Sequence, residues 1–209
     1  MPTSIRRSIA LAGLLVAAGA RAEDLPPKDA PAYTGVYQLS SRGRDDAQGS
    51  WDYQSQDTIT IATLGRQSRW DFKSDGRTAI SDLENHTTIT FGGKIPANTA
   101  YRTGLPFTPI GWEFGYANVA AAAAKPEVLG TKTIAGQPCT QLRFTSDEYG
   151  TPEYCVAKNG IVLRFSNASA TSEAAYEAQS INPATPEKDR FSPPAGYNVE
   201  DPTTKKRKP

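Results

Sequence analysis

Between Ser50 and Phe91 the chain alternates apolar and polar residues in short runs, and each run stops at a turn signal. In "DTITIATL" Ile59 and Ile61 fall on one side and the threonines on the other. In "SRWDFKS" Trp70 and Phe72 share a side opposite Arg69, Asp71 and Lys73, and "NHTTITF" alternates through Thr87, Ile89 and Phe91. A period of two over several consecutive runs is incompatible with helix. It predicts antiparallel strands with one buried face. "SDGR", Ser74 to Arg77, is a turn between two of these runs, and "TGVYQLSSR" before them reads as a first strand.

One stretch breaks the pattern. "YRTGLPFTPIGWEFGYANVAAAAAKPEVLG" carries the single helix expected, with Thr108 as cap, Pro109 at its first position and Ala120 to Ala124 as strong helix formers. Pro126 ends it, because the residue before a proline is pushed out of helical geometry. Gly111 and Gly115 weaken its first half, leaving Asn118 to Lys125 as the firmest part. Strands resume near Thr131. "KNGI" holds Asn159-Gly160, a type I′ hairpin pair, which sets Val156 across from Leu163 and Tyr154 across from Phe165. A last strand is expected near "AAYEAQSI", followed by a proline-rich exit.

The two ends bound the compartment. Arg6 and Arg7, a short apolar run and "ARA" at 20–22 form an export signal cleaved after Ala22, with general secretion favoured over twin-arginine export. The protein is therefore expected in the periplasm. Residues 23–32 form a proline-rich lead, 33–200 a single domain and 201–209 a basic tail. The leader takes three of the 23 basic residues and none of the 22 acidic ones, so the mature chain carries −2. A near-neutral chain lacks the basic face of a nucleic-acid protein. Two readings of "KKRK", Lys205 to Lys208, stay open: a solubilising end, or a weak contact with an anionic surface.

Export also bears on the only two cysteines, Cys139 and Cys155, which bracket "CTQLRFTSDEYGTPEYC". Disulfides persist in oxidising compartments. Zinc wants four ligands, and the chain offers these two cysteines and one histidine, His86, with no C-x-x-C. The expectation is a disulfide across a hairpin centred on Asp147. Cys139 would lie directly opposite Cys155, both on the polar face, with Leu142, Phe144, Tyr154 and Val156 inward. Residues 131–170 then read as a three-stranded meander.

Catalysis finds little support. No G-x-S-x-G, H-E-x-x-H, Walker loop or dinucleotide glycine motif occurs. His86 reads as an exposed strand residue. Asp45-Asp46 and Asp147-Glu148 sit at turn signals, where acids are ordinary. No metal and no cofactor are implied, and the chain reads as a non-enzyme.

"RQSRWDFKSDGRTAISDLENHTTITF" resembles the central strands of the LolA/LppX-like periplasmic proteins, through Arg69, Trp70, Phe72, Asp75-Gly76 and Asp82. "EVLGTKTIAGQPCTQLRF" followed by "YCVAKNGIVLRFSN" is similar to their second half, and "FSPPAGYNVE" to their ending. The likeness spans roughly residues 33–200. It implies an antiparallel sheet curled into an incomplete half barrel, closed in part by a short helical lid, with an apolar interior that binds acyl chains. Where that family has a long N-terminal helix, this chain has prolines and glycine. The aromatics are then candidate ligand contacts: Trp51, Trp70, Phe72, Trp112, Phe114 and Phe144, with Trp112 and Phe114 opening the lid between glycine and proline hinges. The expected partner is a lipid or other apolar ligand. The alternative is a protein-interaction or sensory module of the envelope with a packed core, its partner an envelope protein.

Overall fold

The structure is a computed structural model, and it describes residues 31–45, 50–82, 84–104, 126–145, 151–168 and 172–201. The expected export signal, the segment with Trp112 and Phe114 in which the helix was expected, and the tail Lys205 to Lys208 lie outside the described residues.

Twelve strands form one sheet: β1 (Tyr33–Asp45), β2 (Ser50–Leu64), β3 (Gln67–Phe72), β4 (Arg77–Asp82), β5 (Thr87–Gly92), β6 (Thr99–Thr103), β7 (Glu127–Ile134), β8 (Gln137–Arg143), β9 (Glu153–Ala157), β10 (Val162–Ala168), β11 (Ser172–Asn182) and β12 (Asn198–Glu200). Their spatial order is β12-β6-β5-β4-β3-β2-β1-β11-β10-β9-β8-β7. Every pairing is antiparallel except the short parallel contact of β12 with β6. The two halves are meanders joined where β1 pairs with β11, so β1 is central although it comes first in the chain.

The sheet is open and curled, and one of its faces is concave. Trp70 on β3 and Tyr176 on β11 are three strand spacings apart, which is about 14 Å in a flat sheet. Their ring centroids are 6.0 Å apart. Tyr37 Oη on β1 donates to the Val162 carbonyl on β10, 3.1 Å away, and lies 3.2 Å from Tyr33 Oη. Both contacts require the sheet to bend toward the side that carries these rings.

Register explains why the alternation could be read. Ile59 pairs with Phe72 and Ile61 with Trp70, as their shared side required. The expected strands near Thr78 and Thr88 are β4 and β5. His86 is exposed as expected, but it sits in the turn before β5 at φ 51°, not in a strand. Strands resume at Glu127, earlier than expected, so four strands occupy 127–168 where a meander of three was predicted. Ala135 at φ 49° and Gly136 at φ 74° turn β7 into β8.

Both later hairpins differ from expectation in a specific way. Gly160 alone has positive φ, at 88°, and Ala157 N donates to the Ile161 carbonyl. The loop is therefore Lys158-Asn159-Gly160, three residues long, not a two-residue type I′ turn. It pairs Val156 with Val162, and an irregularity at Leu163 then restores the expected pairs Cys155 with Arg164 and Tyr154 with Phe165. In the cysteine hairpin Cys139 pairs with Ala157 and Gln141 with Cys155. The cysteines are diagonal neighbours rather than directly opposed. The turn is centred one residue later than predicted, which moves each pair by two residues and keeps every side chain on its face. The disulfide forms between Cα atoms 5.4 Å apart, within the span such a bond allows. Cys139 and Cys155 share a side with Arg143, Glu153 and Arg164, yet both cysteines are themselves buried.

The larger correction concerns burial. The alternation predicted one buried face, but β4 is buried on both faces, and β5 has one buried residue on each, Thr88 and Phe91. The main core fills the concave side. A second cluster of Ala62, Ile80, Phe91, Ala100 and Phe191 lies on the convex side, with Leu64, Ile89 and Tyr197 against it. The proline-rich exit builds it. A 3-10 turn, Lys188–Phe191, drives Phe191 onto the sheet, and Tyr197 meets Phe91 edge-on at 5.3 Å. Asn198 N then donates to the Asn98 carbonyl, and β12 docks beside β6. Polar contacts fix the same strap: Arg69 Nη1 donates to the Arg190 carbonyl, and Arg190 reaches the Asp71 carboxylate.

Candidate ligand-binding site

Strand pairing places the alternate residues of β3, β2, β1, β11, β10, β9 and β8 on one concave face, and these positions hold the large rings. Phe144 meets Tyr154 edge-on at 5.6 Å, Tyr154 meets Phe165 at 5.1 Å, Phe165 meets Tyr176 at 6.0 Å, and Tyr176 meets Trp70. The stripe is continuous from β8 to β3. Aromatic pairs in tilted and edge-on geometry add about 0.5–1.5 kcal/mol each beyond area burial.

Of the six aromatic candidates, the structure brings Trp70, Phe72 and Phe144 to this face. Trp70 and Phe144 are fully buried and Phe72 nearly so. Trp70 Nε1 donates to Ser68 Oγ at 3.0 Å, so its one polar atom is satisfied within the strand. The Arg77 guanidinium lies over the Phe72 ring, 4.5 Å from its centroid. Trp51 lies on β2, opposite Arg44, at a position whose side chain is not described. Trp112 and Phe114 lie outside the described residues. Residue-level reading missed Tyr33, Tyr37 and Tyr176, all with at most 1% exposure. The signal was present: Tyr37 alternates with Leu39 in "GVYQLS", and Tyr176 stands between alanines in "AAYEA".

The other side of the sheet is polar over β1 and β7 to β11. Arg42 pairs with Glu173, Arg164 with Glu177, and Arg143 with both Glu153 and Glu127. A cleft of about 390 Å³ crosses this side between Arg42 and Glu153. It is floored by serine and alanine and every charge in it is already paired. A second cleft, of about 400 Å³, lies on the same side beside Phe191.

Among the described residues no three His, Cys, Asp or Glu side chains converge to hold a metal, and no cysteine is free. No described helix is long and apolar enough to cross a membrane.

Fold and site together define a class: a single curled, open β-sheet, concave and aromatic on one side, strapped by its own C-terminal segment on the other. No protein-family model and no curated protein matches the chain. Solved structures do. An uncharacterized conserved protein from Thermus thermophilus aligns at TM-score 0.49 and 11% identity, over 80% of this chain and 90% of that one. A LolA superfamily protein from Nitrosomonas europaea aligns at TM-score 0.43 and 10% identity, over 82% and 93%. The Mycobacterium tuberculosis lipoprotein LppX aligns at 0.40 and 9%, over 72% and 87%. The latter two carry the names of the group that the sequence resembles.

Proposed function

We propose that the chain is an exported, non-catalytic binding protein that takes a lipid, or the acyl chain of a lipoprotein, against the concave face of its sheet. One observation carries the reading: the continuous aromatic stripe from Phe144 to Trp70 lies on the inside of a sheet that is not closed. Small-ligand sites are mostly apolar and concave. Because β7 at one edge and β12 at the other are not hydrogen-bonded to each other, the curl can relax without breaking a ladder bond. In this reading Trp51, Trp70, Phe72 and Phe144 contact the ligand, and Trp112 and Phe114 close over it.

A specific observation favours a second reading, that of a protein-interaction module of the envelope. Trp70 and Phe144 are inaccessible to solvent, and the two clefts described above open on the opposite side of the sheet. A packed interior suits a scaffold whose partner binds elsewhere.

Mature protein expressed into the periplasm and extracted with organic solvent should release lipid detectable by mass spectrometry. Titration with a dansyl-labelled fatty acid should brighten the dye, and Trp112→Ala should weaken that response several-fold. If neither lipid nor dye is retained, the carrier reading fails and the interaction reading stands.

A further inference from the structure

We propose that the cleft beside Phe191 is a second binding site, on the convex side, for a small acidic amphiphile: one anionic group on a short apolar body. This goes beyond the concave-face reading and uses none of its residues.

The cleft measures about 400 Å³, within the range of small-ligand sites. Its floor follows from register. Ile80 pairs with Ile89 across β4 and β5, and Ile89 pairs with Arg102 across β5 and β6. Two isoleucines and a guanidinium therefore stand in one row on one side of the sheet. Phe191, brought in by the strap, forms an apolar wall. The site exists only because the chain returns to this face after eleven strands.

Its charge is what selects the ligand. Asp82 also lines the cleft and keeps its negative charge, but its acceptor positions are filled by neutral donors and it forms no ion pair with the described residues. Oδ1 accepts from the Glu84 and Asn85 amides at 2.9 and 3.0 Å, and Oδ2 accepts from Asn85 Nδ2 and Gln67 Nε2 at 2.9 and 3.2 Å. Arg102 is different. Arg42, Arg69, Arg77, Arg143, Arg164 and Arg190 all form ion pairs; Arg102 and Arg66 form none with the described residues, and of these two only Arg102 lines the cleft. A fork of five donors beside an apolar floor fits a carboxylate, sulfate or phosphate head bidentately. Lysine would give a point charge without that geometry.

Octanoate is a suitable probe, with octyltrimethylammonium as the control of opposite charge. In methyl-labelled protein, octanoate should move the Ile80 and Ile89 resonances to saturation, and the cation should bind at least tenfold more weakly. Arg102→Gln, at an exposed position, should keep the melting temperature and lose tenfold or more in octanoate affinity, while Arg102→Lys should lose less. Equal affinity for the two head groups, or an unchanged R102Q, overturns the proposal. Shifts confined to Leu142 and Val156 would also overturn it, because the acid would then occupy the concave face. Loss of dansyl-acid binding in Trp112→Ala with octanoate shifts intact would show the two sites to be separate.

Discussion

Asp82 shows how much one side chain contributes at a turn. Partial burial pushes its carboxyl toward a higher pKa. Hydrogen bonds from Asn85, side chain and amide, and from Gln67 and the Glu84 amide outweigh this and hold it below the ordinary aspartate value. A carboxyl depressed in the folded state contributes stability that is fully present above its unfolded pKa of about 3.9 and disappears as pH falls through the folded value. The turn also holds His86 at positive φ, so it has strain to offset. Carboxyl NMR titration should place Asp82 below its unfolded value of about 3.9. Asp82→Asn should flatten the part of the acid-stability curve below about pH 4. A titration at or above the ordinary value would remove this account. In "SDLENH" Asp82 reads as the end of a strand and His86 as a strand residue; neither the turn between them nor the filling of the carboxylate's acceptor capacity was visible there. The hydrogen bond from Gln67 comes from the neighbouring strand, fifteen residues earlier.

At the scale of elements, the cysteine hairpin was the most legible part of the chain. The expected export signal and the want of metal ligands pointed to a disulfide, and strand parity placed both sulfurs on one side. What parity could not fix was the turn centre, because a two-residue shift leaves every face unchanged. The bond closes a loop with a sequence separation of 16. On the chain-entropy model such a loop is worth about 3 kcal/mol. Protein recovered from an oxidising compartment should show no free thiol until reduced. Reduction should then lower its melting temperature by roughly 6–12 °C, at about 2–4 °C per kcal/mol for a domain of this size. A shift under about 2 °C would mean that packing of the hairpin already supplies the restraint. The strap was the least legible element. "FSPPAGYNVE" reads as an exit because its prolines prevent strand or helix. Yet Phe191 and Tyr197 return to the sheet and bury the side of β4–β6 that carries Ile80, Ile89 and Phe91.

For the molecule as a whole, the open sheet is the property on which the proposed binding depends. In a closed barrel, widening the interior breaks a ladder; here the central strands β1 and β2 can keep theirs while the edges move. Ligand uptake should therefore change amide hydrogen exchange in β6, β7 and β12 and leave β1 and β2 protected. Altered exchange throughout β1 and β2 would mean that uptake remodels the sheet itself, contrary to the edge-opening picture. The sheet's joint, where β1 meets β11 across almost the full length of the chain, is also where the concave aromatics of both halves converge.

Most of the strands, the residues of a strand that share a side, and the identity of the cross-link could be read from the amino-acid order; β6, one of the four strands of 127–168, and β12 could not. These are local properties: a period of two follows from backbone geometry, and turns follow from glycine, asparagine and aspartate within a few residues. What each side would face is a tertiary outcome. Ile89 and Phe91 alternate as cleanly as Trp70 and Phe72, yet register puts the two pairs on opposite sides of the sheet. Trp70 meets Tyr176 through curl, and Phe91 meets Tyr197 through the returning strap. Period alone cannot distinguish these outcomes, because alternation states that a side is buried and leaves open which distant segment buries it.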